Sequence, residues 1–212
     1  MSATDIAQLL LDQHAVALQP DDPFRYSSGI LSPIYTDNRI LISHPDARAT
    51  VTAGLVAAAS EFGEVGAVAG TATAGIPWAA WIADQLKLPM VYVRSKAKSH
   101  GRQNQIEGRL ADGVRTLIVE DLVSTGGSCL NAVEAVREAG AEPVGVVAIF
   151  TYGMQRATTG FAAAGVPLIT LTDFPNLVEA AANRGTISRE DKTKVLEWAD
   201  DPAGWADKQG LS

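Results

Sequence analysis

The residues best suited to chemistry lie in one run, TLIVEDLVSTGGS, at positions 116–128. An apolar stretch is followed by the acids Glu120 and Asp121, and then by a short loop of hydroxyl residues and glycines. If a helix begins near Ser128, backbone N–H groups of the loop and the positive end of the helix dipole converge on one point, and this arrangement binds phosphate. Carboxylates repel phosphate, so we expect the acids either to accept hydrogen bonds from sugar hydroxyls or to help hold a metal ion.

The run at 116–128 also has interpretations other than phosphate binding. The run could be an ordinary strand-to-helix loop in which Ser128 caps the helix. Two further phosphate motifs are excluded, because no lysine follows Gly126 or Gly127 as a P-loop requires and the chain contains no GxGxxG fingerprint. The intact acid, hydroxyl and glycine pattern therefore favours a phosphate site of another kind.

A second unusual segment, residues 93–109, is basic although the chain has a formal charge of −7. One acid, Glu107, accompanies its five cations, which are Arg94, Lys96, Lys98, Arg102 and Arg109. The segment lacks apolar periodicity, and long polar loops in compact domains often act as lids over active sites. The alternative is a solvated surface loop. A phosphate site on the next strand favours the lid.

Strands and helices alternate along most of the chain, and this order predicts how the two segments are positioned. The predicted strands are residues 65–69, 90–93, 116–119, 144–150 and 168–171, with helices between them. Short apolar strands of this kind predict a parallel sheet covered by helices on both faces, with ligands at the carboxyl ends of the strands. A first helix capped by Thr4 is expected to run through Ala17, and residues beyond about 205 are expected to be frayed.

Composition limits the possible functions. At 212 residues with 47% apolar residues, the chain predicts a single domain with a substantial core. The net negative charge argues against nucleic acid as a partner, and the absence of a long apolar run argues against a membrane span. The single cysteine, Cys129, fits a reducing cytoplasm, which is the expected location.

Four further segments occur in a fixed order around the phosphate run. They are FRYSSGILSPIYTDNR at 24–39, GTATAG at 70–75, VRSKAKSHGRQNQIEG at 93–108 and FTY at 150–152. Together with the run, they make the chain resemble the orotate phosphoribosyltransferase family of type I phosphoribosyltransferases, from about Phe24 to Trp198. The resemblance implies an α/β fold, a type I phosphoribosyltransferase-like parallel sheet flanked by helices. It also implies a small N-terminal hood, contributed mainly by residues 1–42 of a single domain.

The resemblance also implies an activity. It predicts a glycosyltransferase of pyrimidine biosynthesis that transfers ribose 5-phosphate from phosphoribosyl diphosphate (PRPP) to orotate, giving orotidine 5′-monophosphate and diphosphate. Mg²⁺ is expected to bind with PRPP and not to protein side chains alone. The lid is expected to close over a neighbouring subunit's site, which implies a homodimer with shared active sites. Alternatives are a phosphoribosyltransferase for another base and a non-catalytic PRPP-sensing regulator.

Individual residues take roles from the same resemblance. Lys98 and Asp121 are predicted to be catalytic, and Ser124 is predicted to contact orotate. The predicted PRPP-binding residues are Arg94, Lys98, His100, Glu120, Asp121, Leu122, Val123, Ser124, Thr125, Gly126, Gly127 and Ser128. The chain departs from some branches of the family at Ser27, Ala74 and Ser95, where those branches carry lysine. The residue that binds the orotate carboxylate stays unassigned, and Arg156 is a candidate because some relatives use an arginine near this position.

Overall fold

The computed structural model describes residues 1–26, 28–95 and 105–211. The strands are β1 (Val16–Leu18), β2 (Phe24–Arg25), β3 (Leu31–Ser32), β4 (Ile34–Thr36), β5 (Ala67–Thr71), β6 (Met90–Val93), β7 (Ile106–Glu107), β8 (Arg115–Val123), β9 (Glu142–Thr151) and β10 (Leu168–Asp173). The α-helices are α1 (Ala3–Asp12), α2 (Pro45–Ala59), α3 (Gly75–Leu86), α4 (Gly127–Glu138), α5 (Gln155–Ala164), α6 (Phe174–Asn183), α7 (Arg189–Leu196) and α8 (Trp205–Lys208). Segments of 3-10 helix cover Asn38–Ser43, Ser60–Phe62 and Glu197–Ala199.

The main sheet has six strands in the order β10-β9-β8-β5-β6-β7. All neighbouring pairs are parallel except β6 with β7, which is antiparallel. Because β5, β6 and β8 are parallel, their carboxyl ends meet at one edge of the sheet, and the loops after them meet there too. The predicted parallel sheet flanked by helices is confirmed, whereas the antiparallel edge strand β7 was not predicted.

Alternation along the central strands builds a core on each face of the sheet, because successive side chains point to opposite sides. Val68, Leu117 and Val119 belong to the apolar cluster that also contains residues of α1, α2, α3 and α6. Ala69 and Ile118 belong to a second cluster, which contains residues of α4 and α5. In the described part of the chain, no helix has both the length and the apolarity to cross a bilayer.

The segment expected to form the hood is built from short pairs of strands outside the main sheet. Strand β1 pairs antiparallel with β4, and β2 pairs antiparallel with β3. The expectation that Val16 and Ala17 extend the first helix was wrong. They lie in β1, where Val16 is paired with Thr36 and Ala17 with Tyr35. That pairing joins residues far apart in the chain, so local helical periodicity could not reveal it.

Both ends of the chain are better ordered than the sequence indicated. Helix α1 begins with Ser2 as its N-cap, in place of Thr4, and Ser2 and Asp5 form a capping box. The expectation of fraying beyond about residue 205 was wrong for residues 206–211, because α8 continues to Lys208 and the N–H of Leu211 donates to the oxygen of Ala206 at 2.9 Å. At the start of α8, Trp205 is buried and its indole N–H donates to the backbone oxygen of Lys194 at 2.7 Å. A similar bond, from Trp198 Nε1 to the oxygen of Leu31 at 3.2 Å, ties the C-terminal region to the hood.

Candidate active site

The acidic pair lies inside a strand. Strand β8 was expected to end near Val119, but it continues to Val123, because Leu122 and Val123 pair with Phe150 and Thr151 of β9. Glu120 and Asp121 are therefore held by the rigid end of a central strand. A site built on a strand keeps its geometry better than one built on a free loop.

The N-terminus of α4 is open to a ligand. The helix begins at Gly127, and its N-cap is Gly126, which contributes no side-chain hydrogen bond. The alternative in which Ser128 is the cap is therefore wrong. Side chains do cap other helices, such as α1, α6 and α7. The first N–H groups of an α-helix lack intrahelical partners, so at α4 they can serve an anion.

Glycine at 126 and at 75 satisfies two geometric demands. Gly126 has φ +79°, a left-handed conformation that glycine adopts without strain, and this conformation turns the chain into α4. A Cβ at Gly75, at the start of α3, would overlap the backbone oxygen of Val119 and approach Thr71 Oγ1 to 2.5 Å. Glycine therefore allows α3 to start directly against the end of β8.

A cavity of about 180 Å³ lies in front of the α4 N-terminus. Its lining residues are Glu120, Leu122, Val123, Ser124, Thr125, Gly126, Gly127, Ser128 and Cys129. The predicted phosphate residues 124–128 thus surround one space, with a carboxylate at its margin. The side chain of Val123 is buried, so this residue can contribute only its backbone to the cavity.

Burial and mutual repulsion control the ionisation of the two acids. Glu120 is 6% exposed, and this burial, reinforced by the neighbouring Asp121 charge, raises its pKa to about 8. Burial also raises the pKa of Asp121. Glu120 accepts hydrogen bonds from the backbone N–H of Asp121 at 3.1 Å and from the thiol of Cys129 at 3.9 Å. Both carboxylates would therefore gain from hydrogen-bond donors or a cation that favours their charged forms.

A second cavity, of about 240 Å³, adjoins the first and shares Gly127 and Ser128 with it. Its other lining residues are Thr71, Ala72, Val93, Arg94, Ser95 and Asn131. The Ala72–Thr73 peptide in this loop is cis. Arg94 brings a positive charge to the cavity, and its guanidinium lies 3.7 Å from the carboxylate of Glu107. Sequence reasoning missed Asn131, although its position one helical turn after Ser128 places it on the same face of α4.

Within the described part of the chain, two hydrogen bonds join the hood to this site, and sequence reasoning missed both. The amide of Asn38 donates to the backbone oxygen of Asp121 at 2.9 Å. The hydroxyl of Tyr152 donates to Thr36 Oγ1 at 3.1 Å. Burial raises the pKa of Tyr152 well above its usual range, so its phenol stays protonated and acts as a donor.

Some predicted residues cannot be placed at the site. Lys98 and His100 lie outside the described residues, as does Ser27. Ala74 immediately precedes α3, and Ser95 lines the second cavity. Arg156, considered for the orotate carboxylate, is exposed near the start of α5.

Sequence similarity to known proteins identifies the family of this chain. Residues 49–165 match the family model described as "Phosphoribosyl transferase domain". Orotate phosphoribosyltransferase from Halalkalibacterium halodurans is 54% identical over 199 residues, which cover 93% of this chain and 95% of the relative. The Staphylococcus aureus enzyme (strain Mu50) is 52% identical over 202 residues, covering 95% of this chain and 100% of the relative. The chain belongs to the orotate phosphoribosyltransferase family.

Solved structures of this family support the fold assignment. Orotate phosphoribosyltransferase from Aeropyrum pernix superposes with a TM-score of 0.74 at 29% identity, covering 86% of this chain and 99% of that one. The Mycobacterium tuberculosis enzyme in complex with PRPP has a TM-score of 0.64 at 25% identity, and the match covers 82% of this chain and 98% of that one. The predicted family and type I phosphoribosyltransferase fold are therefore confirmed, and orotate is favoured over another base or a regulatory role.

Proposed function

We propose that this chain transfers the ribose 5-phosphate group of PRPP to orotate, giving orotidine 5′-monophosphate and diphosphate. One observation carries the proposal: the uncapped N-terminus of α4 and the buried acid Glu120 border a single cavity. A phosphate donor pocket beside a carboxylate suits a phosphorylated sugar whose hydroxyls face the acid. The high identity to curated orotate phosphoribosyltransferases supports orotate as the acceptor.

In this proposal the first cavity holds the ribosyl phosphate. Backbone N–H groups of residues 124–128 would donate to the 5′-phosphate, aided by the dipole of α4. Glu120 and Asp121 would accept hydrogen bonds from the ribose hydroxyls, and Ser124 would contact orotate. PRPP hydroxyl donors would stabilise the ionised acids and so lower their pKa values.

The second cavity would hold the diphosphate. Arg94 lines it and supplies planar N–H donors suited to phosphate oxygens. Lys98 and His100 would join Arg94 when the lid closes, with Lys98 stabilising the charge that develops on the leaving group. Ser95 and Asn131 provide further polar groups along the same wall.

Mg²⁺ fits this arrangement as a companion of PRPP. Among the described residues, no cluster of three or more His, Cys, Asp or Glu side chains could hold a metal ion by itself. Mg²⁺ commonly binds through one or two carboxylates together with substrate phosphates, and Glu120 and Asp121 supply such carboxylates. When bound, the ion would neutralise part of the diphosphate charge.

The chemical step is displacement at the anomeric carbon of the ribose. A ring nitrogen of orotate forms the new bond and loses its proton to the departing diphosphate or to solvent, while the diphosphate leaves with the electron pair of the broken C–O bond. Positive charge develops on the sugar, and ionised Glu120 and Asp121 would stabilise it. The chain's main contribution is therefore to orient two anionic substrates around a carboxylate pair.

A direct assay tests the activity. The chain is incubated with PRPP and Mg²⁺ together with orotate, uracil or hypoxanthine, and base consumption and diphosphate release are followed. We expect the orotate absorbance band to fall with equimolar diphosphate release. PRPP binding without consumption of any base would contradict the proposal and indicate a regulator, and consumption of another base alone would indicate a different specificity.

A homodimer with shared sites, acting in the cytoplasm, completes the proposal. Light scattering after gel filtration should give twice the chain mass. A Lys98→Ala variant mixed with an Asp121→Asn variant should regain activity, because one site in a mixed dimer would combine an intact lid with an intact acidic pair. A monomeric, fully active chain would contradict this part of the proposal.

A further inference from the structure

The hood residues 34–39 include two buried positions, Ile34 and Asn38, and two exposed ones, Tyr35 and Arg39. Thr36 accepts a hydrogen bond from the hydroxyl of Tyr152, and the amide of Asn38 donates one to the backbone oxygen of Asp121. These two bonds anchor the hood segment to the core. On either side of these two anchors, Tyr35 is 46% exposed and Arg39 is also exposed. The anchors fix the backbone on both sides of residue 37, so the outward side chains have a defined position relative to the acidic pair.

Arg39 is held in a set orientation by Asp37. Its Nε and Nη2 atoms donate to the two carboxylate oxygens of Asp37 at 2.6 and 2.8 Å. Asp37 also accepts from the backbone N–H of Arg39 at 3.1 Å, as the N-cap of the 3-10 helix. A guanidinium has five N–H donors, and this pair occupies two of them.

Arg39 lies close to the acidic pair. Its neighbour Asn38 donates a hydrogen bond to the backbone oxygen of Asp121, and the positive charge of Arg39 opposes the burial that raises the pKa of Asp121. Arg39 therefore places a positive charge on the hood side of the acidic pair. Arg94, in the second cavity, places another on the side proposed for the diphosphate.

The proposed substrate arrangement leaves the hood side for the base. The ribosyl phosphate is assigned to residues 124–128 and the diphosphate to the cavity lined by Arg94, so a base attached to the anomeric carbon extends toward Tyr35 and Arg39. Orotate carries a carboxylate, which the acidic pair repels. A desolvated carboxylate needs a cation or several donors, and arginine matches its planar geometry.

We propose that Arg39 binds the carboxylate of orotate and thereby selects orotate over bases that lack this group. Its role rests on the proposed function, because it assigns a further substrate contact at the same site. Asp37 is a positioning residue that holds the guanidinium toward the pocket. Arg156, at the start of α5, then has no part in carboxylate recognition.

Equilibrium binding of two nucleotides isolates this contact. Orotidine 5′-monophosphate carries the carboxylate, and uridine 5′-monophosphate differs only in lacking it. In an Arg39→Gln variant we expect the dissociation constant for the first nucleotide to rise about 10- to 100-fold, as for loss of a charged hydrogen-bond partner, while that for the second stays within about twofold. Arg39→Lys, which keeps the charge, should recover part of the loss.

A matched control is Arg184→Gln. Arg184, the C-cap residue of α6, forms a similar exposed ion pair, 2.7 Å from Asp12. This variant should bind both nucleotides like the parent chain. If Arg39→Gln weakens the binding of both nucleotides equally, the proposal is overturned, and it is also overturned if the binding of both is unchanged. Failure of the proposed function is seen separately, as absence of orotate consumption by the parent chain.

Discussion

Replacing the buried acid Glu120 by glutamine should stabilise the fold while impairing PRPP binding. The glutamine amide has the same shape, and its oxygen can still accept from the backbone N–H of Asp121. The substitution removes the ionisable group that burial and the Asp121 charge disfavour. A group kept for ligand binding at a cost in stability is expected at an active site.

The size of the effect follows from the pKa. The pKa of Glu120 rises from 4.5 to about 8 in the fold, so keeping this carboxylate ionised costs roughly 5 kcal/mol at ~1.4 kcal/mol per unit. Between those two pKa values the folded chain holds a proton that the unfolded chain has released, so the stability of the parent falls as pH rises. Relative to the parent, Glu120→Gln should therefore gain about 3 kcal/mol more at pH ~8 than at pH ~5.

Urea unfolding at these two pH values, at equal protein concentration, measures this difference. The control is Glu138→Gln, which changes an exposed carboxylate on α4. PRPP affinity is measured on the same preparations and should fall only in the Glu120 variant. A stability difference that does not change with pH, or a variant less stable than the parent at both values, would refute the reasoning about burial.

Four further predictions concern the same site. PRPP should bind more tightly as pH rises from about 7 to 9, because Glu120 must ionise to accept hydrogen bonds from the sugar hydroxyls. Calorimetry in two buffers should detect the proton released on binding. A PRPP affinity that does not change with pH would contradict this. Asp121→Asn should weaken PRPP binding and lower turnover together, whereas an effect on one alone would argue against its double role. Gly127→Val should abolish PRPP binding without shifting the unfolding midpoint. Among the described residues, a Cβ at this cavity-lining position approaches only Thr125 Oγ1, at 3.9 Å, so the added side chain would occupy ligand space without disturbing the core. Lys98→Ala should lower turnover by about 10²–10³ with the fold intact, and normal turnover would remove Lys98 from the mechanism.

The sequence by itself determined the alternation of the five parallel strands with helices and the family, and it predicts the phosphate loop. The signals are local: an apolar run, an acidic pair and a glycine turn occupy consecutive positions 116–128, and their order predicts a ligand at the carboxyl end of a strand. Element boundaries were less certain. The extension of β8 to Val123 depends on pairing with β9, which local pattern does not encode.

Only the tertiary structure decided which distant residues complete the site. Asn38 reaches Asp121 across 83 positions, and Tyr152 reaches Thr36 across 116. The elevated pKa of Glu120 likewise arises from the packing around it. Burial and long-range hydrogen bonds depend on how elements pack together, and a side chain's type and neighbours in sequence do not specify that packing.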